Sequence, residues 1–235
     1  MSHVYHEWVD SFKRLKDFAP PAETAIKQVL AHYSQAIGEI DHAERTGWFH
    51  ALGYRKKSKD GLDRGEQEIE RLLFKRSHVE IVRERRRPLS LIVTDHNFPL
   101  ARQSKGQVLC DALGFIDHRS AYHPVAIEVK TTNGDPWFAV VENLIQIRLA
   151  RSNHNIEQYA IKHCLANRNI QKARGAWGLV LAPSKYFSQN RPHLETALKL
   201  IQELKSKTQA RIILASTDDL KEGRSRWIEG SYWPL

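Results

Sequence analysis

One stretch constrains this chain more than any other: Pro124-Val125-Ala126-Ile127-Glu128-Val129-Lys130. It has the apolar, β-branched character of a buried strand, yet it carries two charges. Side chains alternate along a strand, so Val125, Ile127 and Val129 share one face while Glu128 and Lys130 share the other. Two charges side by side on a sheet face are costly unless they are paired or functional. The chain holds two more acid-x-Lys triplets, Glu203-Leu204-Lys205 and Asp219-Leu220-Lys221. The first falls at the end of a predicted helix, where residues two apart point to different sides. The second lies in a polar stretch after a strand. Only Glu128 and Lys130 stand inside an apolar strand.

The preceding predicted strand, Gln107 to Ala112, delivers another carboxylate, Asp111. If these two strands form a hairpin through Asp117-His118-Arg119-Ser120, Asp111 can lie beside Glu128. Two carboxylates at close range repel, and a divalent cation relieves the repulsion. Mg²⁺ accepts carboxylate oxygens and keeps several waters, and Mn²⁺ can substitute for it. Such an ion can bind a phosphate oxygen and activate a water, while Lys130 orients that water or stabilises developing charge. The bland alternatives are a structural ion pair for Glu128 and Lys130 and a turn-capping carboxylate for Asp111.

The remaining periodicity predicts an α/β arrangement after an all-helical start. Helices are expected over 3–18, 22–37 and 40–53, with Gly38 as a stop, and a polar loop over 55–61 marks a soft boundary. Beyond it the pattern predicts a helix over 63–77, strands at Val79–Val82 and Leu89–Thr94, and a loop over 95–105. Past the Asp111 and Glu128 strands come a helix over 137–152, a strand at Trp177–Ala182, a helix over 192–207 and a strand at Arg211–Ser216. The division is thus a helical region, 1–60, and an α/β domain, 61–235.

Asp111 followed by Glu128-Val129-Lys130 resembles the PD-(D/E)xK nuclease motif, with Cys110 where the motif's proline would stand. The resemblance spans about 63–216. It implies a mixed four- to five-stranded sheet flanked by helices, restriction-endonuclease-like, and metal-dependent hydrolysis of DNA, endonucleolytic by preference. It also implies metal ligation by Asp111, Glu128 and the Val129 carbonyl, with Lys130 supporting the water. Members often carry a Glu on the helix before the sheet, which points to Glu66, with Glu70 behind it. Members often present a polar residue from the helix after the acid-x-Lys strand. Glu142 and Gln146 share one face there, and Gln146 is the candidate. Nucleases of this kind often act as homodimers. An RNA-directed nuclease of the same fold, and a non-catalytic nucleic-acid-binding protein retaining it, are the alternatives.

Charge agrees with a polyanionic partner. The 235-residue chain has 36 Lys and Arg against 27 Asp and Glu, a formal net charge of +9, and basic side chains on phosphate release condensed counterions. The candidate contacts are Arg83, Arg85, Arg86 and Arg87, with Lys56 and Lys57. His118 and His123 read as loop residues more than as bases, and Trp137 and Phe138 as packing residues more than as base-stacking ones. Two cysteines, Cys110 and Cys164, give no disulfide framework. No apolar run approaches the roughly 18 residues of a membrane span, and the start lacks a signal-peptide core. The expectation is a cytoplasmic protein.

Overall fold

The computed structural model describes residues 22–45, 64–103, 106–131, 134–151, 157, 160–172 and 175–234. The predicted helix over 3–18, most of that over 40–53, and Lys56 and Lys57 lie outside these residues. Helix α1, Ala22–Arg45, runs straight through Gly38. Glycine costs a helix about 0.5–1 kcal/mol relative to Ala. The buried row Ile26, Val29, Tyr33, Ala36 and Ile40 continues past it, however, and burying Ile40 outweighs that cost.

Helix α2, Arg64–Arg76, leads into an antiparallel run: β1, His78–Val82; β2, Leu89–Gln103; β3, Gly106–His118; and β4, Ala121–Val129. The β3–β4 loop is two residues, Arg119 and Ser120, with φ of 53° and 60°. Positive φ at both positions matches the right-handed twist of the paired strands. Helix α3, Pro136–Ala150, then carries the chain across to β5, Trp177–Ala182, parallel to β4. Before β5 stands a short helix, α4, Asn167–Gln171. After β5 come α5, Ser184–Gln189, and α6, Arg191–Lys207, then β6, Ile212–Ser216, parallel to β5. A 3₁₀ turn, Leu220–Glu222, precedes the last strand, β7, Arg224–Trp227.

That last strand overturns the expected open sheet. β7 pairs antiparallel with β6 and parallel with β1, so seven strands close into a mixed barrel with helices outside. This is not the four- to five-stranded open sheet of restriction-endonuclease type. The sequence Arg-Ser-Arg-Trp hides the strand, because only Ser225 is buried and no apolar alternation marks it. The predicted loop over 95–105 is also largely strand: β2 stays paired with β3 as far as Gln103↔Gly106. Two register shifts, at Val93/Asp95 and Pro99/Ala101, absorb the irregularity that made this stretch read as loop.

Closure creates two cores. Val79, Ile81, Leu91, Ile116, Ile127, Val129, Leu179 and Ile213 fill the barrel, joined by Leu73 from α2. The second core lies between the outer wall and the helices: Val29 and Tyr33 of α1, Leu144 and Ile147 of α3, Leu200 and Leu204 of α6, against Leu113, Phe115, Ala126 and Val180. β4 is therefore buried on both faces.

Gly114 of β3 lies tight against β2, since a Cβ there would lie 2.4 Å from the Ile92 carbonyl oxygen. Backbone on both sides leaves little room to relax. Gly114→Ala is expected to lower stability by about 1–3 kcal/mol, read as a lower urea midpoint with unchanged slope.

Candidate active site

Glu128 points outward from β4, beneath α3, because its neighbours Ile127 and Val129 belong to the barrel interior. The β3–β4 register pairs Ala112 with Ile127, which puts Asp111 across from Glu128 at the next position. At this end of the ladder the Asp111 side chain replaces a backbone acceptor: the Val129 N–H donates to Asp111 Oδ2 at 2.7 Å. The Lys130 N–H donates to the Leu181 carbonyl at 2.8 Å and holds the lysine to β5.

Four side chains then converge. Lys130 Nζ is ion-paired with Glu128 and, at 3.0 Å, with Glu142 Oε2 of α3. Gln146 Nε2 donates to Glu128 Oε2 at 2.7 Å. Asn143 Nδ2 donates to Gln146 Oε1 at 2.8 Å and to the Ala126 carbonyl at 3.2 Å, so a chain of amides ties α3 to β4 and fixes Gln146. Gly178 makes room for this: a Cβ on β5 there would fall 2.0 Å from Asn143 Oδ1.

Burial drives the electrostatics. It pushes the Asp111 carboxyl up to about 6, against the pull of Lys130 and the Val129 N–H, with Glu142 pushing further. Burial, then Asp111 and Glu142, raise Glu128 well above the ordinary carboxylate range despite Lys130. Burial alone would lower the Lys130 ammonium, but Glu128, Glu142 and Asp111 more than offset it and hold the proton well above the usual lysine range. The set is short of positive charge.

Two carboxylates beside each other, with raised proton affinity, are the donor set Mg²⁺ commonly takes, the rest of its shell being water and substrate oxygen. Among the described residues no three of His, Cys, Asp and Glu are placed to grip one ion. The fit is thus to a two-carboxylate site, Asp111 and Glu128.

Of the sequence candidates, Asp111, Glu128, Lys130 and Gln146 come together. Glu66 is half-buried and Glu70 buried, both on α2. Sequence reasoning left Glu142 without a role and missed Asn143 and Tyr186. Asn143 had a signal: it is a small amide beside Glu142 and one turn before Gln146, in a stretch, Val140–Leu149, that is otherwise mostly apolar. Tyr186 of α5 had none. It is fully buried, and its hydroxyl feels Lys130, Asp135, Glu128 and Glu142. Asp135 caps α3, accepting from the Trp137 N–H at 2.9 Å, and its other oxygen lies 2.9 Å from His193 Nδ1.

Of the two candidate histidines, His118 lies 6.0 Å from the Trp177 ring. His123 stacks on Trp177 at 4.2 Å, and burial lowers its pKa to about 4, so it is neutral at pH 7. Trp137 is buried in the outer core, and Phe138 packs against it. Arg85, Arg86 and Arg87 are exposed in the β1–β2 turn, whereas the Arg83 guanidinium lies 4.2 Å over the Trp227 ring. No family model matches the chain, and neither does any curated protein or solved structure.

The raised carboxylates make a pH prediction. A folded carboxyl that titrates above its unfolded value binds a proton the unfolded chain does not, so its contribution favours folding in acid and is lost as pH rises through the folded value. For Asp111 that window runs from about 4 to about 6, and the raised Glu128 extends it upward. Asp111→Asn keeps an acceptor for Val129 and removes one repelling charge. Without divalent ions it is expected to melt higher than wild type at pH 8, and the gap is expected to narrow at pH 5. A constant gap would contradict the electrostatic account.

Proposed function

We propose that the chain is a divalent-cation-dependent phosphodiesterase that cuts nucleic acid, DNA by preference and endonucleolytically. One observation carries this reading: Asp111 and Glu128, on neighbouring strands, share a buried site with a protonated lysine and lack enough positive charge. The motif Asp111…Glu128-Val129-Lys130 supports it through its residues and not through the fold, since the closed barrel is not that superfamily's sheet. The net charge of +9 suits a phosphate polymer.

The residues divide the work as follows. Asp111 and Glu128 would hold the ion, which when bound supplies a Lewis acid for a phosphate oxygen and a more acidic water. Gln146 keeps Glu128 aimed, itself fixed by Asn143. Lys130 keeps its proton, so it acts as a cation that orients the water and offsets charge growing on the phosphate oxygens. Glu142, at 3.0 Å from Lys130 Nζ, is the carboxylate left to take the water's proton. The water oxygen bonds to phosphorus, the bond to the leaving oxygen breaks, and that oxygen is protonated from solvent.

Two measurements test this. Purified protein is expected to nick supercoiled plasmid with Mg²⁺ or Mn²⁺. EDTA and Lys130→Ala are each expected to abolish nicking, and matched RNA to be cut more slowly. Equal nicking by wild type and Lys130→Ala would sink the assignment of the site. Separately, Mg²⁺ at about a hundredfold over its dissociation constant stabilises a protein by about 2.7 kcal/mol. Wild type is expected to show that rise in melting temperature and Asp111→Ala to lack it.

A further inference from the structure

Closure of the barrel brings together basic residues that are far apart in sequence. β7 pairs with β1 through Glu80↔Arg224, Ile81↔Ser225 and Val82↔Arg226. Val82 is the residue from which the turn holding Arg83, Arg85, Arg86 and Arg87 departs. Ser225 faces inward and is fully buried, so Arg224 and Arg226 stand on the outer side, exposed, next to that turn. The patch has its own acids: Glu80 lies opposite Arg224, Glu84 is in the turn, and Asp219 lies 3.5 Å from Arg226. Most of the uncompensated charge is therefore at Arg85, Arg86 and Arg87.

Two features separate this turn from an ordinary solvated loop. First, its cations are all arginines, whose planar fork matches phosphate oxygens better than an ammonium does. Second, the turn has a footing. The Arg83 guanidinium lies over Trp227 at 4.2 Å and near Trp233 at 5.8 Å, and the Arg86 N–H donates to the Arg83 carbonyl at 3.2 Å. Arg83 is thus engaged with aromatic faces.

We infer that the β1–β2 turn and β7 form one surface for the phosphate backbone of duplex DNA, with Arg85, Arg86 and Arg87 as the principal contacts, Arg224 and Arg226 as lesser ones, and Arg83 as the anchor. This rests on the nucleic-acid reading above and adds where the polymer lies. The turn exposes no large apolar side chain to favour a lipid surface, because Arg83 covers Trp227 and Trp233 is buried.

The test is binding of a labelled DNA duplex by anisotropy in EDTA, over about 50–200 mM salt, where each lost phosphate contact flattens the salt slope by about 0.9. Arg85→Gln/Arg86→Gln/Arg87→Gln is expected to flatten it by about two to three. Arg224→Gln/Arg226→Gln is expected to flatten it by about one. Arg83→Gln is expected to lower the melting temperature while retaining most of the slope. A triple variant with the wild-type slope would overturn the proposal, as would wild type that does not bind the duplex. An equal loss toward a polyglutamate peptide would overturn the commitment to DNA. Flattened slopes in a protein that never cuts would uphold this surface while sinking the nuclease reading, so the two failures are distinct.

Discussion

The structure turns on a strand that has no wet face. Val125, Ile127 and Val129 of β4 point into the barrel, and Ala126 and Glu128 point under α3. A strand buried on both sides is ordinarily apolar throughout. Here Glu128 breaks the rule at 4% exposure, and Gln146, Lys130, Asn143 and Glu142 are arranged around that one carboxylate. Replacing such a set with well-packed apolar residues is often neutral or stabilising. Stability therefore gives no reason for the cluster to exist, which favours the proposed chemistry.

The barrel gives the cluster its place. β1 to β4 form an antiparallel meander, and β4 to β6 run parallel with helices on the outer side. Glu128 and Lys130 sit at the carboxyl end of the first of those parallel strands, where the chain leaves for α3. In parallel βαβ units the connections leave a crevice at this end, and polar side chains there meet from several elements. The register of β3 adds Asp111 from the antiparallel half. The site thus forms on the outer wall at the junction of the two halves, not inside the barrel, whose interior is filled by side chains.

What could be read in advance followed from local periodicity. Alternation in 124–130 named the face shared by Glu128 and Lys130, and helical spacing put Gln146 on the helix after it. Asp111 opposite Glu128 needed only the hairpin, which the two-residue loop at Arg119 and Ser120 supplies. Closure could not be read. β7 is four residues, three of them polar, and what makes it a strand is backbone pairing to β1, about 140 residues away in sequence. The Glu66 assignment rests on a resemblance whose sheet this chain does not build. Tyr186 reaches the site from a short helix after β5, and no spacing in the sequence links it to β4.

The charges of the site do not balance, and that imbalance orders its chemistry. Asp111, Glu128 and Glu142 face a single ammonium, Lys130. Asp111 and Glu128 hold protons chiefly because they are buried, while the negative charge of Glu128, Glu142 and Asp111 makes the lysine hold its own, so Lys130 is a poor base and a firm cation. The missing positive charge can be supplied by a proton or by a divalent ion, and the two compete for the same oxygens. On the proposed reading, ion affinity at Asp111 and Glu128 is coupled to proton release. It weakens as pH falls toward the raised Asp111 value of about 6 and strengthens above it. On that reading, the burial and mutual repulsion that raise these carboxylates are also what make the site receptive to a cation and to the phosphate the cation carries.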